Sequence, residues 1–141
     1  MEELFDHEKL TVYQRALEVV ALLDEVLRSF PRQLAVHNQL DRASTSIVLN
    51  IAEGNGKHSP KDRCRFFDIA RGSACECAAA LDVAVAKQLI GKSDVHHVKS
   101  KLRECVAMLV GLIRFTSNDR VHEPPQTYSM ETFESVADPA V

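Results

Sequence analysis

The stretch Leu40-Asp-Arg-Ala-Ser-Thr-Ser-Ile-Val-Leu-Asn-Ile-Ala-Glu-Gly-Asn-Gly56 decides the fold of this chain. Placed on a helix at about 100° per residue, its polar side chains form a stripe roughly 80° wide, made of Arg42, Ser46, Asn50 and Glu53. Apolar residues flank this stripe on both sides, and a helix that is apolar nearly all round is buried. The pattern therefore predicts a core helix of a bundle, and we expect Gly54 to end it in a left-handed conformation.

Three more helices are predicted by apolar residues that repeat at alternating intervals of three and four. The first stops at Phe30-Pro31, because the residue before proline avoids the helical region. The third opens on Ser59-Pro60-x-Asp62, with Ser59 as N-cap and Pro60 at the first helical position. In chain order, the four predicted helices cover about residues 9–29, 33–53, 60–90 and 93–116.

The predicted fold class is all-α. No segment of residues 1–118 alternates as a strand would, and short connections between long helices favour antiparallel neighbours. We expect residues 1–118 to form one antiparallel up-down four-helix bundle. The periodic pattern stops after Asn118, and Glu123-Pro124-Pro125 with its acidic surroundings is typical of a disordered tail, so residues 119–141 are predicted to be a flexible acidic C-terminal tail.

Charge is distributed unevenly along the 141 residues, which carry a net charge of −3. Residues 122–141 hold four acidic side chains and no lysine or arginine, which leaves 16 of the 20 acidic side chains against all 17 basic ones in the rest. That nearly neutral body carries one small basic turn, formed by Lys57, Lys61, Arg63 and Arg65. The composition thus indicates a local basic patch and not a basic protein.

The sequence favours a chain with neither a membrane span nor a signal peptide. It has no apolar run of 18 residues, so we expect no membrane span, and its acidic N-terminus does not look like a signal peptide. These features favour the cytoplasm, where Cys64, Cys75, Cys77 and Cys105 would stay reduced.

Five segments in order resemble a known family, the small bundle proteins encoded in intervening sequences of bacterial 23S rRNA genes, sometimes labelled S23 ribosomal protein. The segments are Leu10-Thr-Val-Tyr-Gln-Arg-Ala, Phe30-Pro31, Gln39-Leu-Asp-Arg-Ala-Ser-Thr-Ser-Ile, Asn50-Ile-Ala-Glu-Gly and Phe67-Asp-Ile-Ala-Arg-Gly-Ser-Ala-Cys-Glu. The resemblance covers about residues 4–116.

This resemblance implies an up-down bundle that assembles as a cyclic homopentamer. It also extends to the accessory protein of diversity-generating retroelements, whose pentamer binds nucleic acid and a reverse transcriptase, so RNA or a reverse-transcriptase-like protein is an expected partner. The third helix is rich in glycine, serine and alanine. Such residues permit close helix approach in an oligomer, although alanine also simply favours helix.

The polar stripe has a structural and a functional interpretation. Ser73 and Glu76 on the third helix extend it, and Glu76 lies on the wheel among apolar residues. One hypothesis is a buried network in which Arg42 faces Glu53 or Glu76, since buried charges need partners. The alternatives are a ligand or RNA-contact site, and simple exposure.

The basic turn also has two interpretations, a solvated loop or a phosphate-contact site. In the second, symmetry would repeat its four cations around a ring, and RNA would be bound without base specificity.

Enzymatic chemistry has no support in the sequence. A di-metal carboxylate bundle needs Glu-x-x-His motifs, and none occurs. Cys75-x-Cys77 points its thiols about 200° apart on a helix, so we expect small core residues and no zinc site. No phosphate loop or hydrolase elbow is present. The sequence therefore predicts a non-enzymatic homo-oligomeric scaffold without cofactor or metal that binds RNA, with a protein adaptor lacking nucleic-acid affinity as the alternative.

Overall fold

The computed structural model describes residues 3–118, and over this range it contains helices and no strand. A short 3-10 helix, Asp6–Lys9, precedes four long helices. These are α1 (Thr11–Leu27), α2 (Ala35–Asn55), α3 (Pro60–Ala86) and α4 (Lys92–Asn118). The all-α prediction is confirmed, whereas the predicted tail, residues 119–141, lies outside the described residues.

The four helices form a bundle around one core. Each helix packs against its neighbours in sequence, and α1 packs against α4 to close the bundle. Every helix turns its apolar stripe inward, as amphipathic helices do. The largest fully buried side chains come from all four helices and include Leu23, Leu40, Ile47, Phe67, Leu81, Leu102 and Leu109.

Gly54 does not end α2, and the expected left-handed conformation is wrong. The helix continues to Asn55, Gly54 is buried inside it, and no glycine among residues 3–118 has a positive φ. The physical reason is packing, because a Cβ on Gly54 would lie 2.8 Å from Cε1 of Phe67 and 3.1 Å from the carbonyl oxygen of Arg63. Glycine is therefore needed here to let α3 approach α2.

The start of α3 follows the sequence prediction and its end does not. Ser59 caps the helix, since its Oγ accepts a hydrogen bond of 3.1 Å from the backbone N–H of Asp62. The helix ends at Ala86, four residues before the predicted end, and Gln88 takes the left-handed conformation at φ 62°. The N–H of Leu89 then donates to the carbonyl of Ala84 at 2.9 Å, which completes a Schellman motif.

Candidate interaction face and basic turn

The predicted polar network divides into a half-buried part and an exposed part. Ser46 and Ser73 join α2 to α3 through a 2.7 Å hydrogen bond between their hydroxyls. The side-chain amide of Asn50 donates to the carbonyl oxygen of Ser46 at 2.9 Å and to its hydroxyl at 3.0 Å. The structure therefore brings together Ser46, Asn50 and Ser73, and these three link the two helices at the edge of the core.

The structure corrects the expected burial of Arg42, Glu53 and Glu76, all of which are exposed in the single chain. Glu53 pairs with Lys57 at 3.2 Å along α2, and no ion pair within residues 3–118 joins Arg42 to either glutamate. The apolar residues beside the charges suggested burial, but several of those residues are exposed as well. One bundle covers only the inner side of α2 and α3.

Large apolar side chains are exposed on the outside of α2 and α3, the two helices that the serines join. Leu49 is 61% exposed, Val83 is 43% exposed and Ile69 is 41% exposed. Arg42 and Glu76 lie on the same side by their helical spacing. We call this surface, formed by Arg42, Leu49, Ile69, Glu76 and Val83, the outer face.

Two cations of the basic turn, residues 57–65, lie over the ring of the next residue, Phe66. The Nζ atom of Lys57 lies 5.1 Å from the centre of the half-buried Phe66 ring, and the guanidinium carbon of Arg65 lies 5.7 Å from it. Lys61 and Arg65 are exposed. This geometry is typical of cation–π contacts, which hold the three side chains together at the surface.

Arg63 has a different role from the other basic residues of the turn. Its Nη1 donates to the backbone carbonyls of Asn55 at 3.0 Å and of Lys57 at 3.3 Å. Its guanidinium also lies 5.7 Å from the centre of the Phe67 ring. These contacts turn Arg63 inward, where it holds the end of α2, so three of the four predicted cations remain on the surface.

The sequence analysis did not predict a second group of basic residues, three cations and a histidine on α4. Lys92, His96, Lys99 and Arg103 are spaced by four, three and four residues, which places them on one side of α4. Lys99 pairs with Asp82 of α3 at 2.6 Å. We call this group the α4 stripe; its spacing was the signal in the sequence that could have identified it.

Arg71 was also missed as a buried charge. It is only 3% exposed, and both its Nε and its Nη2 lie 2.9 Å from Oδ1 of Asp68. A guanidinium removed from water needs such a partner. The signal was its position beside the core residues Phe67, Ala70 and Ala74 on the wheel of α3.

No metal-binding group of side chains is found in the part of the chain that the structure describes. Residues 3–118 bring together no group of three His, Cys, Asp or Glu side chains that could hold a metal ion. Cys64, Cys77 and Cys105 are buried. Burial raises the pKa of the Cys77 thiol to about 12 and that of the Cys105 thiol to about 11, so both stay protonated and unreactive at neutral pH. Over the same residues, no helix is long and apolar enough to span a membrane.

The fold is shared with known proteins. The sequence profile of the 23S rRNA-intervening sequence protein family matches residues 8–111, which confirms the resemblance inferred from the motifs. The crystal structure of a protein of unknown function from the S23 ribosomal protein family of Bacteroides thetaiotaomicron superposes with a TM-score of 0.69 at 21% identity. That match covers 73% of this chain and 98% of the other. No curated protein matches the chain.

Proposed function

The chain belongs to the family of 23S rRNA-intervening sequence proteins, and we propose that it is a non-enzymatic, homo-oligomeric helical scaffold that binds RNA. In this proposal the outer face joins copies of the chain and the basic turn contacts the RNA backbone. The assembly is a cytoplasmic homopentamer that can also receive a protein partner of the reverse-transcriptase type. The observation that carries the proposal is the continuity of the outer face with the basic turn.

Self-association is supported by the composition of the outer face. Leu49, Ile69 and Val83 expose large apolar side chains on neighbouring helices, and apolar side chains exposed beside polar groups are found in protein interfaces. Arg42 and Glu76 supply opposite charges on this same surface. A second copy would cover the apolar side chains and give the two exposed charges partners.

RNA binding is supported by the position of the basic turn relative to that face. Arg65, Ile69 and Glu76 follow one another along one side of α3, at intervals of four and seven residues. Copies joined through the outer face would therefore bring their basic turns close together. Each turn offers Lys57, Lys61 and Arg65 for phosphate contacts, and the Phe66 ring holds two of these cations at the surface.

Self-association is tested by placing a charge on the outer face. We expect light scattering to give a pentamer for the unaltered protein and a smaller species for Ile69→Glu, because the new carboxylate would be buried without a partner. The matched control is Leu17→Glu, which changes an exposed leucine on α1 (45% exposed) outside the outer face. A monomer at micromolar concentration for the unaltered protein would contradict the proposed assembly.

RNA binding is tested with a short single-stranded RNA at several salt concentrations. Replacing Lys57, Lys61 and Arg65 by alanine should weaken binding and lower the slope of log affinity against log salt by about two, since each lost contact to single-stranded phosphate removes about 0.7. Arg63 is left unchanged because it holds the turn together.

The control for this experiment removes the same charge at the opposite end of the bundle. The exposed residues Arg28, Arg32 and Lys87 are replaced by alanine, and binding should keep its affinity and salt slope. If the unaltered protein binds no RNA even at low salt, the RNA-binding proposal is wrong. The alternative, a protein adaptor without nucleic-acid affinity, then takes its place. That hypothesis is favoured by the pairing of Lys57 with Glu53, which already neutralises one cation of the turn.

A further inference from the structure

A groove between α3 and α4 lies outside both the outer face and the basic turn. It encloses about 550 Å³. Its floor combines small side chains of α3 with two larger apolar ones of α4, namely Ala74, Cys75, Ala78, Ala79, Leu102 and Val106. Small residues on one wall leave room for an apolar side chain from outside, and grooves of this kind are typical binding sites for short segments.

The rim of the groove has two cations against one carboxylate, a net charge of +1. Lys99 and Arg103 of the α4 stripe line it, and Asp82 on the opposite side is already paired with Lys99 at 2.6 Å. Arg103 is exposed and Lys99 is partly exposed. An apolar floor beside cations fits a segment in which apolar and acidic residues alternate.

We propose that the chain's own C-terminal segment, residues 122–141, docks in this groove. The segment carries Met130, Phe133 and Val136 at intervals of three, with Glu131 and Glu134 between them. It holds four acidic side chains and no lysine or arginine. The apolar side chains occupy the floor, and the two glutamates face Lys99 and Arg103.

The length of the segment is sufficient for docking on the same molecule. Asn118 ends α4, and Val106 lies 12 residues earlier on that helix, a distance of about 18 Å at 1.5 Å per residue. Phe133 lies 15 residues beyond Asn118, and an extended chain of that length spans up to about 50 Å. The segment can therefore turn back along α4 and reach the groove.

RNA and a second copy of the bundle fit the groove less well. An RNA strand would contact the cations and leave the apolar floor uncovered. A second copy has the exposed apolar side chains of the outer face available, at Leu49, Ile69 and Val83. The proposal for the groove does not depend on RNA binding or on the oligomeric state.

Cys75 provides a direct test, because it lines the groove and is partly exposed. Cys64, Cys77 and Cys105 are buried, so the fast-reacting thiol of the folded bundle belongs to Cys75, and its loss in Cys75→Ser identifies it. We expect this thiol to react slowly with Ellman's reagent in the full-length protein. If the groove is closed about nine-tenths of the time, Phe133→Glu should speed this reaction by up to about ten-fold.

The matched control is Thr132→Glu, which adds the same charge at a neighbouring position outside the apolar repeat and should leave the rate unchanged. Phe133→Ser should also speed the reaction, and circular dichroism checks that each variant keeps its helices. Equal rates in the unaltered protein and Phe133→Glu would overturn the proposal. Protection that disappears on dilution in both proteins would assign the groove to a second copy, and protection that requires added RNA would assign it to RNA; each outcome overturns the proposal.

Discussion

The ends of α2 and α3 differ in where glycine is found and in what it does. At the end of α2, Gly54 lies inside the helix with ordinary backbone angles, and its missing side chain makes room for Phe67. At the end of α3, the left-handed position that glycine usually fills is taken by Gln88 at φ 62°. A glycine near a helix end is thus needed for packing at one site, while the backbone turn at the other is made without one.

The difference follows from what each connection must hold. The α2–α3 connection brings two long helices into close contact, so it depends on Arg63, Phe67 and the absence of a Cβ on Gly54. The α3–α4 connection is closed by backbone hydrogen bonds of 2.9 Å from Gln88 to Val85 and from Leu89 to Ala84. Hydrogen bonds of this kind do not depend on side chains, so an unfavourable residue is tolerated there.

Among the variants that test this difference between the two helix ends, Arg63→Ala should cause the largest loss of stability. The substitution leaves the carbonyls of Asn55 and Lys57 without their charged donor, and hydrogen bonds to charged groups contribute about 1.5–3 kcal/mol each. Arg63 is only partly buried, so water replaces part of both bonds, and we expect the free energy of unfolding measured in urea to fall by about 2 kcal/mol. Arg65→Ala is the control, because Arg65 is exposed and its removal should change stability by less than about 0.5 kcal/mol.

A lysine at position 63 should not restore this stability. Its ammonium group lacks the planar fork through which Arg63 reaches two carbonyls. Equal unfolding midpoints for Arg63→Ala and Arg65→Ala would show that the α2–α3 turn does not depend on a side chain and would remove the contrast with the α3 end.

Gly54→Ala should cause the second largest loss of stability, although alanine favours the helical conformation more than glycine does. The added methyl group would lie 2.8 Å from the ring of the fully buried Phe67, and overpacking of this kind costs about 1–3 kcal/mol. Alanine regains up to about 1 kcal/mol of helix propensity, so we expect a net loss of about 1–2 kcal/mol in urea denaturation.

Gly111→Ala is the matched control for Gly54→Ala. Gly111 also lies inside a helix, but a Cβ there meets no atom within 4 Å. This variant should therefore be up to about 1 kcal/mol more stable than the unaltered protein. If both glycine variants were stabilised, the close approach of α3 to α2 would not be what requires glycine at position 54.

The fold was predictable because it depends on periodicity. The apolar repeats gave four helices with starts within two residues of those observed, and the Ser59 cap gave the start of α3. The predicted ends of α2 and α3 were wrong, because a glycine was interpreted as the C-terminal cap of each helix. The sequence does not distinguish a glycine that permits a turn from one that permits close packing.

The candidate site was less predictable, because a helical wheel shows on which side of a helix a residue lies but not whether that side is buried. Ser46 and Ser73 meet as their wheel positions suggested, whereas Glu76 lies on a side that the bundle leaves open. Arg63 and Lys61 look equivalent in the sequence, and only the path of the turn separates the cation that bonds to carbonyls from the one in solvent. Glu76→Ala should accordingly have a small effect on the stability of an isolated bundle.

Gln88→Gly should give the smallest change in stability, and this change should be a gain. A left-handed conformation costs a residue with a Cβ about 1–2 kcal/mol, and glycine adopts it freely. Glycine also gains freedom in the unfolded chain, at a cost of about 0.5–1 kcal/mol. We therefore expect the free energy of unfolding measured in urea to rise by about 0.5–1 kcal/mol. Gln88→Val should lower stability, because a β-branched residue fits a positive φ poorly. A loss of stability in Gln88→Gly would mean that the glutamine side chain contributes to this helix end, and that both ends depend on side chains.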